Sequence, residues 1–155
     1  MAQEKISFEQ FVNVVDIGNK PFVQDLHDYL LDNGCKATFV EKKSGYLASY
    51  KYGKPPKAVV NFLFRKAGML TRIYGEGIGN YPDFLNTLPC AMVESVKDAS
   101  ICKRLMLNEC SPNCNGYDFM IGNKHYQKCR YNCFEFLITC ESKSYIRSFV
   151  EHEIN

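Results

Sequence analysis

The sequence lacks any apolar run long enough to cross a bilayer. None of its apolar stretches approaches the roughly 18 residues that a membrane-spanning helix needs. Its N-terminal segment has no sustained apolar run and no small-residue cleavage site, which argues against a secretory signal. Internal repeats, low-complexity segments and linkers are missing as well. We therefore expect a single domain over residues 1–155, located in the cytosol and not on a membrane.

A strong charge imbalance is also absent. The chain has 19 Lys and Arg against 17 Asp and Glu, so its formal net charge is only +2. By itself this is too small to predict binding to nucleic acid or to an anionic membrane. An apolar share of 46% with 23% charged residues indicates a globular protein rather than a disordered one.

Eight cysteines stand out in a chain of this size. Disulfides are rare in a reducing cytosol, where clustered thiols are more often metal ligands or catalytic groups. Six of the eight lie between Cys102 and Cys140, whereas Cys35 and Cys90 stand alone. We therefore predict a metal-binding subregion over residues 102–140, and we interpret Cys35 and Cys90 as small core residues.

The spacing of apolar residues predicts an α+β fold. Ser7 and Gln10 have the capping-box pattern of a helix start, and a second helix follows from Lys20 to Asn33, with Gly34 as its stop. Apolar residues then recur at every second position in four short segments joined by brief turns. This pattern predicts an antiparallel meander packed with the N-terminal helices. The predicted strands are Thr38–Val40, Tyr46–Tyr52, Ala58–Phe64 and Met69–Tyr74.

The C-terminal half is predicted to continue with helices, a hairpin and a last helix. Helical segments extend from about Tyr81 to Leu107, interrupted near Pro89 because proline cannot continue a helix. A strand around Phe134–Ile138 and a helix from about Ser142 to Ile154 follow the cysteine-rich hairpin.

Two C-x3-C pairs flank this hairpin. Gly122 and Asn123 suit a two-residue turn, which pairs Ile121 with Lys124 and Phe119 with Tyr126, and brings Gly116 opposite Cys129. Cys129 then returns beside Cys114, and the turn-forming residues 111–113 allow Cys110 to converge with it. Thiolate sulfurs bind zinc at about 2.3 Å, so this convergence suits a zinc-knuckle-like site with three ligands.

The fourth ligand has two candidates, Cys102 and Cys133. Cys133 completes the pair with Cys129, but residues four apart in an extended strand are separated by about 13 Å. Cys133 therefore shares a metal with Cys129 only if the chain turns between them. Cys102 is at the end of a predicted helical segment, eight residues before Cys110, and we favour it, with Cys133 as the alternate. His125 lies beside the turn tip, and we interpret it as solvated.

The C-terminal third also resembles a cysteine-rich module of functionally uncharacterised bacterial proteins. The similarity lies in four blocks of residues: Cys102–Leu105, Cys110 with Cys114, Gly116–Phe119 and Tyr126–Cys129. The resemblance implies a metal module whose ligands correspond to Cys102, Cys110, Cys114 and Cys129, and not Cys133. It implies no activity.

Four thiolates suit zinc or an iron–sulfur cluster, and we predict zinc. A closed four-thiolate zinc site has no open coordination position, so its expected role is structural. An iron–sulfur cluster is the less favoured alternative.

Function is only indicated by the sequence. Tyrosines at alternate strand positions predict a small-ligand pocket that includes Tyr46, Tyr50 and Tyr74. Gly75, Gly77 and Gly79 follow a strand as phosphate-binding loops do, but the spacing differs from known phosphate loops, so we interpret them as a connector. No catalytic triad is visible, and we expect a zinc-stabilised binding domain rather than an enzyme. The alternatives are a nucleic-acid or protein interaction module that uses the metal knuckle, and a thiol, redox or iron–sulfur protein.

Overall fold

The computed structural model describes residues 4–42, 45–75, 77–98, 117–128 and 133–154. It confirms the predicted α+β class, with an antiparallel meander, helices on either side of it in sequence, a hairpin and a terminal helix. The helices are α1 (Phe8–Asn13), α2 (Lys20–Asp32), α3 (Pro82–Leu85), α4 (Cys90–Lys97) and α5 (Ser142–Ile154). The strands are β1 (Glu4–Lys5), β2 (Lys36–Lys42), β3 (Gly45–Tyr52), β4 (Lys57–Arg65), β5 (Gly68–Ile73), β6 (Tyr117–Ile121), β7 (Lys124–Lys128) and β8 (Phe134–Leu137).

Local sequence signals define the N-terminal helices. The Ser7 hydroxyl accepts from the Gln10 amide and the Gln10 side chain accepts from the Ser7 amide, so the predicted capping box is present. Helix α2 ends at Asp32, and Gly34 then takes a φ of +90°, a backbone conformation that favours glycine. No helix among the described residues is long and apolar enough to cross a membrane.

Six strands form one sheet in the order β1-β2-β3-β4-β5-β8, and every neighbouring pair is antiparallel. The connections between β2 and β5 are short, as predicted. Strand β2 is longer than predicted because its polar ends, Lys36 and Lys42, pair with Lys51 and Gly45 of β3. Pairing with a neighbour, rather than apolar alternation, sets its length.

Helices α1, α2 and α5 cover one face of the sheet. Phe11 of α1 lies 5.7 Å from Phe39 and 6.5 Å from Phe62 between ring centroids. Phe149 of α5 lies 5.7 Å from Phe136. Because side chains alternate along a strand, this helix face carries the even-numbered aromatic positions of β3 and β4 and holds the centre of the core.

A polar pair is buried within that core. His27 of α2 is only 7% exposed, and its Nδ1 lies 2.9 Å from the Tyr50 hydroxyl. The imidazole stacks on Phe8 with ring centroids 3.6 Å apart. Burial lowers the pKa of His27, with Asp28 acting in the opposite direction, and burial raises the pKa of Tyr50.

The β6–β7 hairpin packs beside the main sheet. Its register, with Ile121 opposite Lys124 and Phe119 opposite Tyr126, is as predicted. Phe119 contacts Phe134 of β8 at 6.0 Å between centroids. A Cβ on Gly79, in the 3-10 turn Ile78–Asn80, would lie 2.4 Å from the Asp118 carbonyl oxygen, so only glycine allows this approach.

Candidate ligand-binding cleft

A cleft of about 510 Å³ lies at the end of the sheet where β3 and β5 finish and β4 begins. Three separate parts of the chain form its walls: the β3–β4 turn, the glycine-containing segment after β5, and the last turn of α5. The lining residues are Tyr52, Gly53, Lys54, Pro55, Lys57, Ala58, Val59, Tyr74, Gly77, Asn80, Tyr81, His152 and Glu153. Its volume is in the range of small-molecule sites in proteins.

The β3–β4 turn supplies aromatic surface and positive charge. Tyr52, at the end of β3, is 38% exposed, and Lys57 lies directly opposite it in the sheet register. Lys54 belongs to the turn and is exposed. A β-bulge between β3 and β4 at Tyr50 and Lys51 precedes this turn, and bulges are common beside functional sites because they redirect side chains.

The opposite wall is a hydrogen-bonded acidic group. The Glu153 carboxylate accepts from the Gly77 amide at 3.1 and 3.2 Å, and the Tyr81 hydroxyl donates to the same carboxylate. Gly77 therefore donates to an anion of the protein itself and not to a phosphate. This observation agrees with a connector role for the glycine segment.

His152 lies next to that carboxylate on α5. Its Nδ1 is 2.8 Å from the Ser148 carbonyl oxygen, which can only accept, so Nδ1 carries the hydrogen. In the neutral ring this leaves Nε2 as the acceptor. The imidazole packs against Tyr81 and Phe84, with centroid distances of 4.8 and 4.6 Å.

Tyr74 lines the cleft and also neighbours Asn61 and Cys133 on the sheet face opposite the helices. Its hydroxyl accepts from Asn61 Nδ2 at 3.3 Å, and the Cys133 thiol lies close enough for each group to influence the pKa of the other. Burial raises the pKa of both Tyr74 and Cys133. Asn61 is buried, and its Oδ1 has no hydrogen-bond partner within the described residues.

The three tyrosines predicted to share a pocket lie in different places. Tyr50 is fully buried under α2 and bonded to His27, Tyr46 lines a shallow depression near the β2–β3 turn, and Tyr74 lines the cleft. The reason is geometric: Tyr46 and Tyr50 are on the helix face, whereas Tyr74 follows Ile73 and turns to the opposite face. The cleft therefore retains Tyr74 and adds Tyr52 and Tyr81.

The predicted metal ligands Cys102, Cys110, Cys114 and Cys129 lie outside the described residues. The described segments contain no cluster of three or more metal-ligating side chains. The hairpin does pair Tyr117 with Lys128, so the chain positions leading to Cys114 and Cys129 leave the same end of the hairpin. The alternate ligand Cys133 is half-buried at the start of β8.

The predictions for the two isolated cysteines and for His125 are confirmed in part. Cys35 is buried in the core, as predicted, and burial raises its pKa. The core interpretation of Cys90 is wrong, because Cys90 is exposed at the start of α4, whose buried side chains are Met92 and Val96. His125 is exposed, as expected, and contacts Asp118 across the hairpin.

No protein-family model, no curated protein and no solved structure matches this chain. The site is therefore interpreted from its own geometry. Sequence reasoning missed Tyr81, His152 and Glu153 as cleft residues. The contact between Gly77 and Glu153 joins residues 76 positions apart, and no local pattern identifies such a pair.

Proposed function

We propose that this protein is a small-ligand binding domain whose site is the cleft at the end of the sheet. The observation that carries the proposal is the composition of the cleft walls. Tyr52, Tyr74 and Tyr81 line it together with Lys54 and Lys57 of the β3–β4 turn and with Glu153 of α5. Ligand sites typically combine such apolar surface with a few convergent polar groups.

The chemistry of the walls favours a ring-bearing organic anion. Tyr52 offers an exposed ring for stacking, and the exposed Lys54 ammonium group offers charge-assisted hydrogen bonds to a carboxylate or phosphate. The Glu153 carboxylate already accepts from Gly77 and Tyr81, so its lone pairs are partly used. A cationic ligand is disfavoured, because the positive charges of Lys54 and Lys57 would repel it as it approached the cleft.

A titration followed by amide NMR tests this proposal. Benzoate and phenyl phosphate are the anionic probes, and benzylamine and benzyl alcohol are the comparison probes. We expect the anions to shift the Gly53, Gly77 and Asn80 amides. Lys54→Ala should weaken their binding by about tenfold or more, since a hydrogen bond to a charged group contributes roughly 1.5–3 kcal/mol. Lys66→Ala, in the exposed β4–β5 turn, is the matched control.

The proposal fails if neither anion shifts these amides. It also fails if benzylamine binds as tightly as benzoate, or if the Lys66 and Lys54 variants bind the probes equally well. Tyr52→Ala provides a second variant, because loss of a stacking ring weakens binding without changing the charge of the cleft.

The second part of the proposal is a structural zinc held by Cys102, Cys110, Cys114 and Cys129. The hairpin register supports it, since Tyr117 and Lys128 are paired at the end from which both sides of the hairpin continue towards cysteines. Burial raises the pKa of the Cys133 thiol and so disfavours the thiolate that binds a metal, which makes Cys133 the weaker candidate for the fourth position.

Metal analysis of untagged protein purified without chelator tests the zinc site. We expect one zinc per chain and no visible absorbance. A visible absorption band with bound iron would replace zinc by an iron–sulfur cluster, and a metal-free, fully folded chain would refute the site.

A further inference from the structure

The sheet face opposite the helices has an aliphatic row across five strands. Directly opposed residues point to the same face, and the register places Val40, Leu47, Leu63, Leu70 and Leu137 side by side. Neighbouring strands are about 4.8 Å apart, so the row is about 19 Å long. We name the surface around this row the leucine face.

The leucine face also concentrates the positive charge of the chain. The register assigns six basic residues to it and one acidic residue, Glu135, which pairs with Arg72 at 2.5 Å. The whole chain has a formal charge of only +2, whereas these seven residues together have a formal charge of +5. The basic residues are Lys5, Lys36, Lys42, Lys51, Arg65 and Arg72.

The charge on this face is not neutralised within the described segments. Apart from Arg72, none of these basic side chains forms an ion pair there. Lys36 and Lys51 are directly opposite each other on β2 and β3, a pairing of like charges that destabilises a sheet. An anionic partner would relieve this repulsion.

The centre of the face is recessed. Leu63 is 4% exposed and Leu137 is 39% exposed, so side-chain exposure along the row increases from the central strand β4 to the edge strand β8. Gly45 and Gly68 flank it without side chains, and a depression of about 80 Å³ lies over Leu47 and Leu63. Three of the basic residues, Lys42, Arg65 and Arg72, line the same depression.

These features select among anionic partners. A flat bilayer surface does not reach a recessed apolar floor behind long basic side chains, whereas a side chain from a convex peptide does. Nucleic-acid-binding sheets stack bases on aromatic rings. By register, Tyr74 is the aromatic position of the described strands on this face, and it is half-buried at the end of β5 and bonded to Asn61. Tyr46 and Phe64 also line the depression, but their register positions are on the helix face, where Phe64 contacts Phe11.

We infer that the leucine face docks an acidic, amphipathic segment of a partner protein. Aliphatic side chains of that segment enter the depression over Leu47 and Leu63, and its carboxylates meet Lys42 and Arg65 at the rim. This arrangement follows the usual anatomy of an interface, with an apolar centre and a charged rim that gives specificity.

Selection of a random peptide library, displayed on phage, against the full chain tests the inference. We expect enriched peptides to be acidic and to carry Leu, Ile or Val at spacings of three and four residues. Their binding should weaken at least tenfold in the Lys42→Glu/Arg65→Glu variant and in Leu137→Ser, and should weaken with rising salt. Lys20→Glu, on helix α2, is the matched control, and circular dichroism verifies that each variant is folded.

The inference is overturned if no peptide is enriched, or if enriched peptides bind the double variant as tightly as the unmodified chain. Vesicles of phosphatidylserine and phosphatidylcholine, and an oligothymidylate, are tested in parallel. Tight binding of either one that is lost in the double variant and in Leu137→Ser would assign the face to a membrane or to nucleic acid instead.

Discussion

The buried pair of His27 and Tyr50 predicts how stability depends on pH. The imidazole is 7% exposed and shares a 2.9 Å hydrogen bond with the Tyr50 hydroxyl, and burial lowers its pKa below the ordinary value of 6.5. At pH values between the lowered pKa of His27 in the folded chain and its ordinary pKa in the unfolded chain, the unfolded chain binds a proton that the folded chain does not. Stability from this residue is therefore complete above pH 6.5 and decreases as the pH falls.

The size of this effect follows from linkage. One proton taken up only by the unfolded chain changes the free energy of unfolding by at most about 1.4 kcal/mol per pH unit. Between pH 7 and pH 5.5 the loss is at most about 1.3 kcal/mol, the limit for an imidazole that stays neutral in the folded chain over this whole interval. The nearby Asp28 carboxylate reduces the loss, because it raises the pKa of His27. For a chain of this length, 1.3 kcal/mol lowers the melting temperature by about 3–5 °C.

Urea unfolding at a series of pH values measures this difference. In the His27→Leu/Tyr50→Phe variant both partners are apolar, so we expect near-native stability at pH 7 and a weaker decrease towards pH 5.5. Tyr50→Phe alone leaves His27 Nδ1 without its partner and costs about 1–3 kcal/mol. His125→Gln is the control for an exposed histidine. The reasoning is refuted if the double variant and the unmodified chain lose equal stability between pH 7 and pH 5.5.

Two further substitutions have matched controls. Gly79→Ala should lower the free energy of unfolding by about 1–3 kcal/mol, because its Cβ meets backbone of the hairpin, while Gly18→Ala should change little, since nothing lies within 4 Å of its Cβ. Equal melting temperatures for the two variants would contradict this. Cys114→Ser should lose bound zinc and melt at a lower temperature than Cys90→Ser, and equal zinc content in both would count against Cys114 as a ligand.

Local signals determined the parts of the fold that the sequence predicted. The Ser7 capping box, the alternation of β3 and β4, and the Gly122 hairpin turn depend on residues within a few positions of one another. Such patterns specify the type and direction of an element. They are less reliable for its length, as β2 illustrates.

Long-range pairing determined what the sequence did not predict. Strand β8 joins the edge of β5, so that Glu135 meets Arg72 across 63 positions, and the last turn of α5 meets the segment after β5. Only the complete register shows that Tyr46 and Tyr74 belong to opposite faces. The leucine face is hidden in the sequence for the same reason, since its residues come from five strands.

The proposed zinc site and the cleft are connected through Cys133. Cys129 lies four residues before Cys133, so chain geometry places their Cα atoms within about 14 Å. The Cys133 thiol lies near Tyr74, which lines the cleft, and a metal at Cys129 would restrain the chain that enters β8. We therefore expect chelation to weaken phenyl phosphate binding, and phenyl phosphate to slow zinc loss, because coupling between two sites is reciprocal. Tyr74→Phe should reduce both effects, since it removes the hydroxyl that lies near the thiol. Unchanged affinity after zinc removal from a still-folded chain would show that the two sites are independent.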